Sequence, residues 1–450
     1  MNTHAAKFIS PAFLPVYFFI LVIVLGGALL HLSVSLNGTP ISWLDAMFTS
    51  VSATCVTGLA VVDTGATFST VGLIVLAALI QIGGLGVMTY TSLVFYMWRR
   101  RISMTDRIAV GQSLLSDPAF HLGRFLKQMI LVCLCVESAG AVALHVFSLG
   151  GIDWFSAFFH AISAFCNAGF ALYPDNLMGF AGNVPINLVF MALIVLGGIG
   201  FYVLVEVPGY LRARLRRRGN ARLSWQSAVV VRTSFWLIVV GWIIFFWTEF
   251  RQNGTHVFMT LLQTLFQSVT ARTAGFNTMD IGAMTDTALF VMILLMVIGG
   301  SPASCAGGIK TTTLRVLLSF GVAQIKGREQ VVVDGYGVDF STINKAMTLS
   351  IMALVLILGS VFVLTITEGA NISHQMVRGK FIELFFEATS AFGTVGLSTG
   401  LTPHLSAPGK IVIMALMFVG RLGPIVFLTM LQTWQTREHF SRAEKSMLIG

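Results

Sequence analysis

Four short stretches of the chain are suited to presenting backbone oxygen: Cys55-Val56-Thr57-Gly58, Cys166-Asn167-Ala168-Gly169, Arg272-Thr273-Ala274-Gly275 and Gly393-Thr394-Val395-Gly396. Each closes on glycine and is followed by one large apolar residue, Leu59, Phe170, Phe276 or Leu397. Glycine permits the backbone conformation that turns carbonyls to one side. A ring of neutral carbonyls can take over the water shell of a cation without holding it too tightly for release. The glycines are 111, 106 and 121 residues apart, and a loop repeated in this way can close around an axis. The candidate ligands are therefore Val56, Thr57, Gly58, Asn167, Ala168, Gly169, Thr273, Ala274, Gly275, Thr394, Val395 and Gly396. The large residues read as wedges that stiffen the loops. Asp63, Asp175 and Asp280 follow three of the glycines, where a carboxylate either concentrates cations or simply faces solvent.

Before each loop stands a short apolar segment, Trp43 to Thr54, Trp154 to Phe165, Phe258 to Val269 and Phe381 to Ser390. These are too short to cross a bilayer and predict re-entrant helices. Ser42-x-x-Asp45 is a capping-box pattern and Asp153 starts the second helix. Their C-terminal ends carry partial negative charge, which favours a cation beyond them. An anion path would want basic rings here, and only Arg272 fits that. After each loop a second helix carries a small-residue break: Gly83-Gly84-Leu85-Gly86, Gly197-Gly198-Ile199-Gly200, Gly299-Gly300-Ser301-Pro302 and Gly420-Arg421-Leu422-Gly423. The breaks begin 25, 28, 24 and 24 residues after the loop glycines. One Gly-Gly pair alone would be a helix-packing notch; fourfold recurrence in register favours a repeated unit.

The chain is 56% hydrophobic and only 10% charged over 450 residues, too little polar surface for a soluble domain of that size. Apolar stretches run from about Phe13 to Leu36, Val71 to Trp98, Leu126 to Leu149, Leu188 to Leu211, Val229 to Phe250, Ala288 to Ile298 with a broken continuation to Phe320, Ala346 to Thr367, and Ile411 to Trp434. They predict an all-α membrane protein with eight transmembrane helices in four helix–pore loop–helix repeats around one pseudo-fourfold pore. The repeats divide as 1–106, 107–219, 220–330 with the interrupted sixth span, and 331–450 with a short tail. The first span lacks a convincing cleavage site and is expected to be retained.

The net charge of +9 does not point to nucleic acid, because the basic residues fall in alternate connections. Arg99 to Arg101, Arg107, Arg124, Lys127, the run Arg212 to Arg222, Arg232, Lys326, Arg328, Lys345, Arg437, Arg442 and Lys445 occupy one set. The other set holds few, so both termini are expected in the cytoplasm of a cell-membrane protein with its glycine loops outside. The five cysteines have no zinc-like spacing and predict neither a disulfide nor a metal site.

The break in the sixth span extends through Gly299, Gly300, Ser301, Pro302, Ala303, Ser304, Cys305, Ala306, Gly307, Gly308, Ile309, Lys310 and Thr311. Non-helical backbone at membrane depth is tolerated only where protein buries it or it lines a watery cavity, so this segment is expected beneath the loops. Gly308-Ile309-Lys310-Thr311 superficially resembles a phosphate-binding loop, but Ile309 separates glycine from lysine and no strand precedes it. Lys310 reads as an anchor on backbone carbonyls or a carboxylate. Arg421 stands where the other breaks have Gly84, Gly198 and Gly300, and an arginine within a span needs a partner. Glu137 and Glu206 read as helix-bridging.

Val56 to Thr64, Asn167 to Phe170, Arg272 to Asn277 and Phe392 to Leu397 together resemble the Ktr/Trk/HKT superfamily of cation transporters over essentially the whole chain. The absence of helices before the first repeat is similar to the Ktr branch and its KtrB/KtrD-type membrane subunits. The resemblance implies a single-chain pore for potassium, with the interrupted sixth span as an intramembrane gate and Arg421 as a barrier residue touching it. It implies that glycine in all four loops goes with potassium and serine at the first position with sodium. It further implies a homodimer in the lipid bilayer on a cytosolic KtrA/KtrC-type regulatory ring, with adenine nucleotide on that partner, no cofactor in this chain, and sodium as a possible activator. The tail lacks the tyrosine-proline segment associated with many such chains. A membrane enzyme would need a converging catalytic set, and none is spaced as one. A sodium-selective or sodium-coupled secondary carrier is the alternative, although the repeats share one orientation rather than forming inverted halves.

Overall fold

The computed structural model describes residues 14–86, 122–216, 222–253, 257–369 and 379–423. The C-terminal parts of the second and eighth predicted spans, Arg99 to Arg101, Arg107, positions 217–221 of the basic run and the tail from Gln435 lie outside the described residues. The first unit comprises α1 (Leu14–His31), α2 (Trp43–Thr54) and α3 (Thr70–Gly84). The second comprises α4 (Leu122–Phe147), α5 (Trp154–Phe165), α6 (Val184–Gly198) and α7 (Phe201–Leu215). There follow α8 (Trp225–Asn253), α9 (Val257–Thr270), α10 (Asp286–Val297) and α11 (Thr311–Ile325). The last are α12 (Phe340–Gly369), α13 (Lys380–Gly393) and α14 (Ala407–Leu422).

Local chemistry accounts for the short helices. The hydroxyl of Ser42 accepts the Asp45 amide at 3.0 Å and donates to the Asp45 carboxylate at 2.7 Å, and Asp153 accepts the Ser156 amide at 3.3 Å. Both caps satisfy amides that a helix start leaves without partners. Among the described residues, 127–147, 225–249 and 340–369 are each long and apolar enough to cross a membrane alone. Their outer faces expose Leu131, Phe235, Trp247, Leu354 and Phe362, as lipid-facing helices do.

Each pre-loop helix packs on its preceding long helix: α2 on α1, α5 on α4, α9 on α8 and α13 on α12. The helix after each loop packs on the next unit's short helix, α3 on α5, α6 on α9 and α10 on α13, and α14 returns to α2. Closure is reinforced by the Lys410–Asp45 ion pair at 2.7 Å, which ties the start of α14 to that of α2. The short helices are consequently buried through their C-terminal turns.

Two expectations need correction. The predicted fourth span, Leu188 to Leu211, is not one rod: α6 and α7 meet at 107°. Gly200, at φ +98°, makes the corner, and the freed backbone finds partners in the interrupted segment, with Phe201 N donating to Ala303 O at 2.8 Å and Ser301 N to Gly198 O at 3.0 Å. The fold is also not purely helical. Strand β1 (Val332–Val333) pairs antiparallel with β2 (Tyr336–Gly337). The turn between them, Asp334-Gly335, has positive φ at both residues, a sequence signal for a tight hairpin. Asp334 there holds Arg232 of α8 at 2.8 Å and Arg315 of α11 at 3.2 Å.

Candidate cation pathway

The four loops begin where the short helices end, and their amides fold back onto those helices. Thr57 N donates to Ser52 O at 2.8 Å, Ala168 N to Ser163 O at 2.7 Å and Val395 N to Ser390 O at 2.8 Å; in the third loop Ala274 N donates to Thr270 O at 3.0 Å. With the N–H groups consumed on the helix side, the carbonyls are left for the opposite side. The backbone alternates to the same end. Val56, Asn167, Thr273 and Thr394 have φ of +55°, +59°, +68° and +49°, and Gly58, Gly169, Gly275 and Gly396 have +96°, +70°, +78° and +89°. Left-handed residues alternating with ordinary ones aim successive peptide dipoles the same way. A β-branched residue in this region stores roughly 1–3 kcal/mol of strain, which Val56 tolerates because its amide is held by Ala53 O at 3.0 Å.

The glycines meet in a closed cycle. A methyl added at Gly58 would run into Ala168 O and come within 3.1 Å of Gly169 Cα; at Gly169 it would lie 2.8 Å from Gly275 Cα; at Gly275, 3.3 Å from Gly396 Cα; at Gly396, 3.0 Å from Gly58 Cα and against Thr57 O. All twelve predicted ligands flank or form this cycle. Among the described residues the buried hydroxyls of Thr57, Thr273 and Thr394 meet no hydrogen-bond partner. Leu59, Phe170, Phe276 and Leu397 are buried as wedges, and Phe276 packs on Phe190 with ring centroids 5.2 Å apart. Asp63 and Asp280 cap local turns, accepting Ala66 N and Gly282 N, each at 2.9 Å. Asp175 is exposed.

The interrupted segment lies against the loops. Gly307 abuts the Thr394 side chain so closely that a Cβ there would overlap it. The segment is pinned by Cys305 N on Gly197 O at 3.2 Å, by Gly299 N on Ile309 O at 2.9 Å and by Thr311 N on Gly300 O at 3.1 Å. Lys310 donates to Ala306 O at 2.6 Å, so its ammonium is used on its own loop. Arg421 is 8% exposed and forks between the carbonyls of Cys305 and Gly83. It thus joins the segment to the first unit through backbone oxygens rather than through a carboxylate. Arg272 turns away from the cycle to Ser234 on α8, donating to its hydroxyl at 3.2 Å.

Glu137 bridges helices, accepting from Gln81 at 3.0 Å, and Glu206 accepts the Ser224 amide at 2.6 Å at the start of α8. Two supports were absent from the expectations. Ser52, Ser163, Thr270 and Ser390 brace the loops: Ser52 and Ser390 accept the amides of Gly58 and Gly396, each at 3.1 Å, while Ser163 and Thr270 donate to Phe170 O and Phe276 O at 2.8 and 2.6 Å. A hydroxyl residue five or six positions before every loop glycine was legible as a third aligned feature. Glu387, fully buried on α13, gathers Ser398, Thr399 N and Thr402; a second carboxylate, one turn after Glu383 in an apolar re-entrant helix, was its signal.

A helical membrane fold that gathers carbonyl-bearing loops in its interior defines a transporter. The comparisons make that class specific: the model of the TrkH family, described as cation transport protein, matches residues 12–435, and the chain belongs to this family of cation transporters rather than to an enzyme family. The Ktr system potassium uptake protein B of Bacillus subtilis is 38% identical over 430 residues, covering 94% of this chain and 93% of that one. The potassium/sodium uptake protein NtpJ of Enterococcus hirae is 35% identical, covering 100% and 99%. The Ktr system potassium uptake protein D of Bacillus subtilis is 34% identical, covering 98% of each. The crystal structure of the potassium transporter TrkH from Vibrio parahaemolyticus has the same fold, with a TM-score of 0.76 at 19% identity over 96% of this chain and 88% of that one.

Proposed function

We propose that this chain carries out channel-like potassium uptake across the cell membrane. Eight spans in four repeats, 1–106, 107–219, 220–330 and 331–450, surround one pseudo-fourfold pore, and both termini are cytoplasmic. The observation that carries this reading is the closed cycle of Gly58, Gly169, Gly275 and Gly396, which gathers a carbonyl ring of the kind that replaces a cation's water shell. Val56 to Gly58, Asn167 to Gly169, Thr273 to Gly275 and Thr394 to Gly396 select the ion. The segment from Gly299 to Lys310, together with Arg421, gates it.

The Ktr system relatives support assembly with a regulatory subunit. In this reading the chain forms a homodimer on a cytosolic, adenine-nucleotide-binding ring. The tail Arg437 to Gly450, the run Arg212 to Arg222 and the link Lys326 to Asp339 are the surfaces proposed for it. Sodium stimulates uptake without being the principal cargo. Expression in a host lacking its own potassium uptake should restore growth on limiting potassium, more strongly with a co-expressed ring subunit. Absence of rescue in both cases despite membrane expression would sink the proposal.

A sodium-selective or sodium-coupled carrier is the second reading, favoured by the name of the potassium/sodium uptake relative. Gly58→Ser separates the two. An added side chain meets Ala168 O at the point where the first and second loops touch and disturbs the ring that distinguishes the larger ion. The expected result is a lower potassium-to-sodium permeability ratio in proteoliposomes; an unchanged ratio removes Gly58 from selection.

A further inference from the structure

The second and fourth units share a side-chain contact at equivalent positions. His160 lies nine residues before Gly169 on α5, and Glu387 lies nine residues before Gly396 on α13. Both side chains are completely buried. Each accepts the amide three residues beyond its own loop glycine: Leu172 N donates to His160 Nε2 at 3.2 Å, and Thr399 N to Glu387 Oε1 at 3.2 Å. The imidazole is held as one tautomer, because Nδ1 lies 2.7 Å from Ser156 O and must donate there while Nε2 accepts. Its ring stacks on Tyr173 with centroids 5.1 Å apart. The Glu387 carboxylate also takes the hydroxyls of Ser398 and Thr402. At the same position the first unit has Thr49, whose hydroxyl donates to Asp45 O within its own helix at 2.8 Å, and the third has Phe266. The pattern continues across the seams between units. Leu172 O and Thr399 O face Gly65 and Gly282, each seven residues after the loop glycine of the preceding unit. A Cβ on Gly65 would overlap Leu172 O, and one on Gly282 would lie 3.0 Å from Thr399 O.

We propose that His160 and Glu387 are positioning residues for cation selection: they hold the outer legs of the second and fourth loops, and this hold keeps the glycine cycle wide enough to favour potassium over sodium. The inference rests on the pore reading. Each of these loops is fastened to its own short helix at both ends. On the near side Ala168 N and Val395 N donate to Ser163 O and Ser390 O. On the far side the amides of Leu172 and Thr399 are taken by side chains of the same two helices. The loop glycine lies between the two fastenings. A carbonyl ring free to close inward would follow a smaller ion as readily as a larger one, and fastened ends resist that closure. The braced legs also press on Gly65 and Gly282, so one brace fixes the seam between the first and second units and the other the seam between the third and fourth. Ordinary core packing would account for the burial. It leaves unexplained why a histidine and a glutamate meet equivalent amides where the other two units place threonine and phenylalanine.

The test compares apolar and amide variants of the full chain. His160→Phe keeps a ring beside Tyr173 and removes the acceptor, and Glu387→Leu removes both carboxylate oxygens. His160→Gln and Glu387→Gln offer an amide oxygen instead. In monodisperse protein, hydrogen–deuterium exchange at Leu172 in His160→Phe and at Thr399 in Glu387→Leu should quicken by at least about tenfold, with the glutamine variants close to wild type. In proteoliposomes the potassium-to-sodium flux ratio should fall at least about fivefold in the apolar variants and recover in the glutamine variants. A packing loss alone lowers both fluxes together and leaves the ratio unchanged. If Glu387→Leu is not monodisperse, the two His160 variants decide. Unchanged exchange overturns the braces, and faster exchange with an unchanged ratio overturns their part in selection. A wild-type chain that passes neither ion removes the uptake reading and the selection role with it, while exchange still reports on the braces, so the two failures are distinguishable.

Discussion

Gly396→Ala is expected to cut cation flux by at least about tenfold, because the ring of carbonyls that must replace the ion's water shell is distorted at its tightest contact. Two costs combine. Gly396 has φ +89°, where a side chain costs about 1–2 kcal/mol. The new Cβ also overlaps Thr57 O and lies 3.0 Å from Gly58 Cα. The Thr57–Gly58 peptide cannot simply rotate aside, since its N–H, that of Gly58, is held by the Ser52 hydroxyl at 3.1 Å. The fourth and first loops must therefore separate. Gly400→Ala isolates the first cost: φ is +96° and none of the described residues lies within 4 Å of an added Cβ, so near-normal flux is expected. Rubidium uptake in proteoliposomes, at matched protein content, reads both variants. Normal uptake by Gly396→Ala would show that the glycine cycle is not the path.

Arg421→Ala should act in the opposite direction and raise flux. At an effective dielectric near 20 a unit charge at about 8 Å repels a cation by about 2 kcal/mol, roughly thirtyfold in rate where that barrier limits passage. The same substitution releases Cys305 O and Gly83 O, and buried carbonyls left without donors cost about 1–3 kcal/mol each. The segment then keeps its ties to Gly197, Gly198 and Lys310 but loses its bond to the first unit. Arg421→Lys divides the effects, keeping the charge while losing the planar fork that spans two acceptors. Intermediate flux is expected from it. An Arg421→Ala protein with normal, fully regulated flux would remove this residue from the gate.

Much of the site was legible because its chemistry is local. The loop residues needed only glycine at recurrent positions, a capped apolar helix before each, and a break at a near-constant distance after each. Gly83, Gly197 and Gly420 each pack against the carbonyl four residues before the preceding loop glycine, on Thr54, Phe165 and Phe392. Equivalent sequence positions thus make equivalent contacts. The bracing hydroxyls obeyed the same spacing and were overlooked because serine and threonine are unremarkable near membrane helix ends. The hairpin at Asp334-Gly335 was overlooked because its strands have two residues each, too few for periodicity to register.

Other features depend on residues far apart in the chain. The corner at Gly200 could be read as a tolerated glycine within a span until the segment after α10 supplied partners for its backbone. Arg421 required a partner by any reading, but only the fold chose two backbone carbonyls over a carboxylate. The sequence by itself determined a helical membrane protein, the positions of its four loops and the glycines those loops require, since hydropathy and backbone freedom are properties of neighbouring residues. The tertiary structure alone decided which carbonyl faces which glycine and how Arg421 is satisfied, because those contacts join residues far apart in the chain.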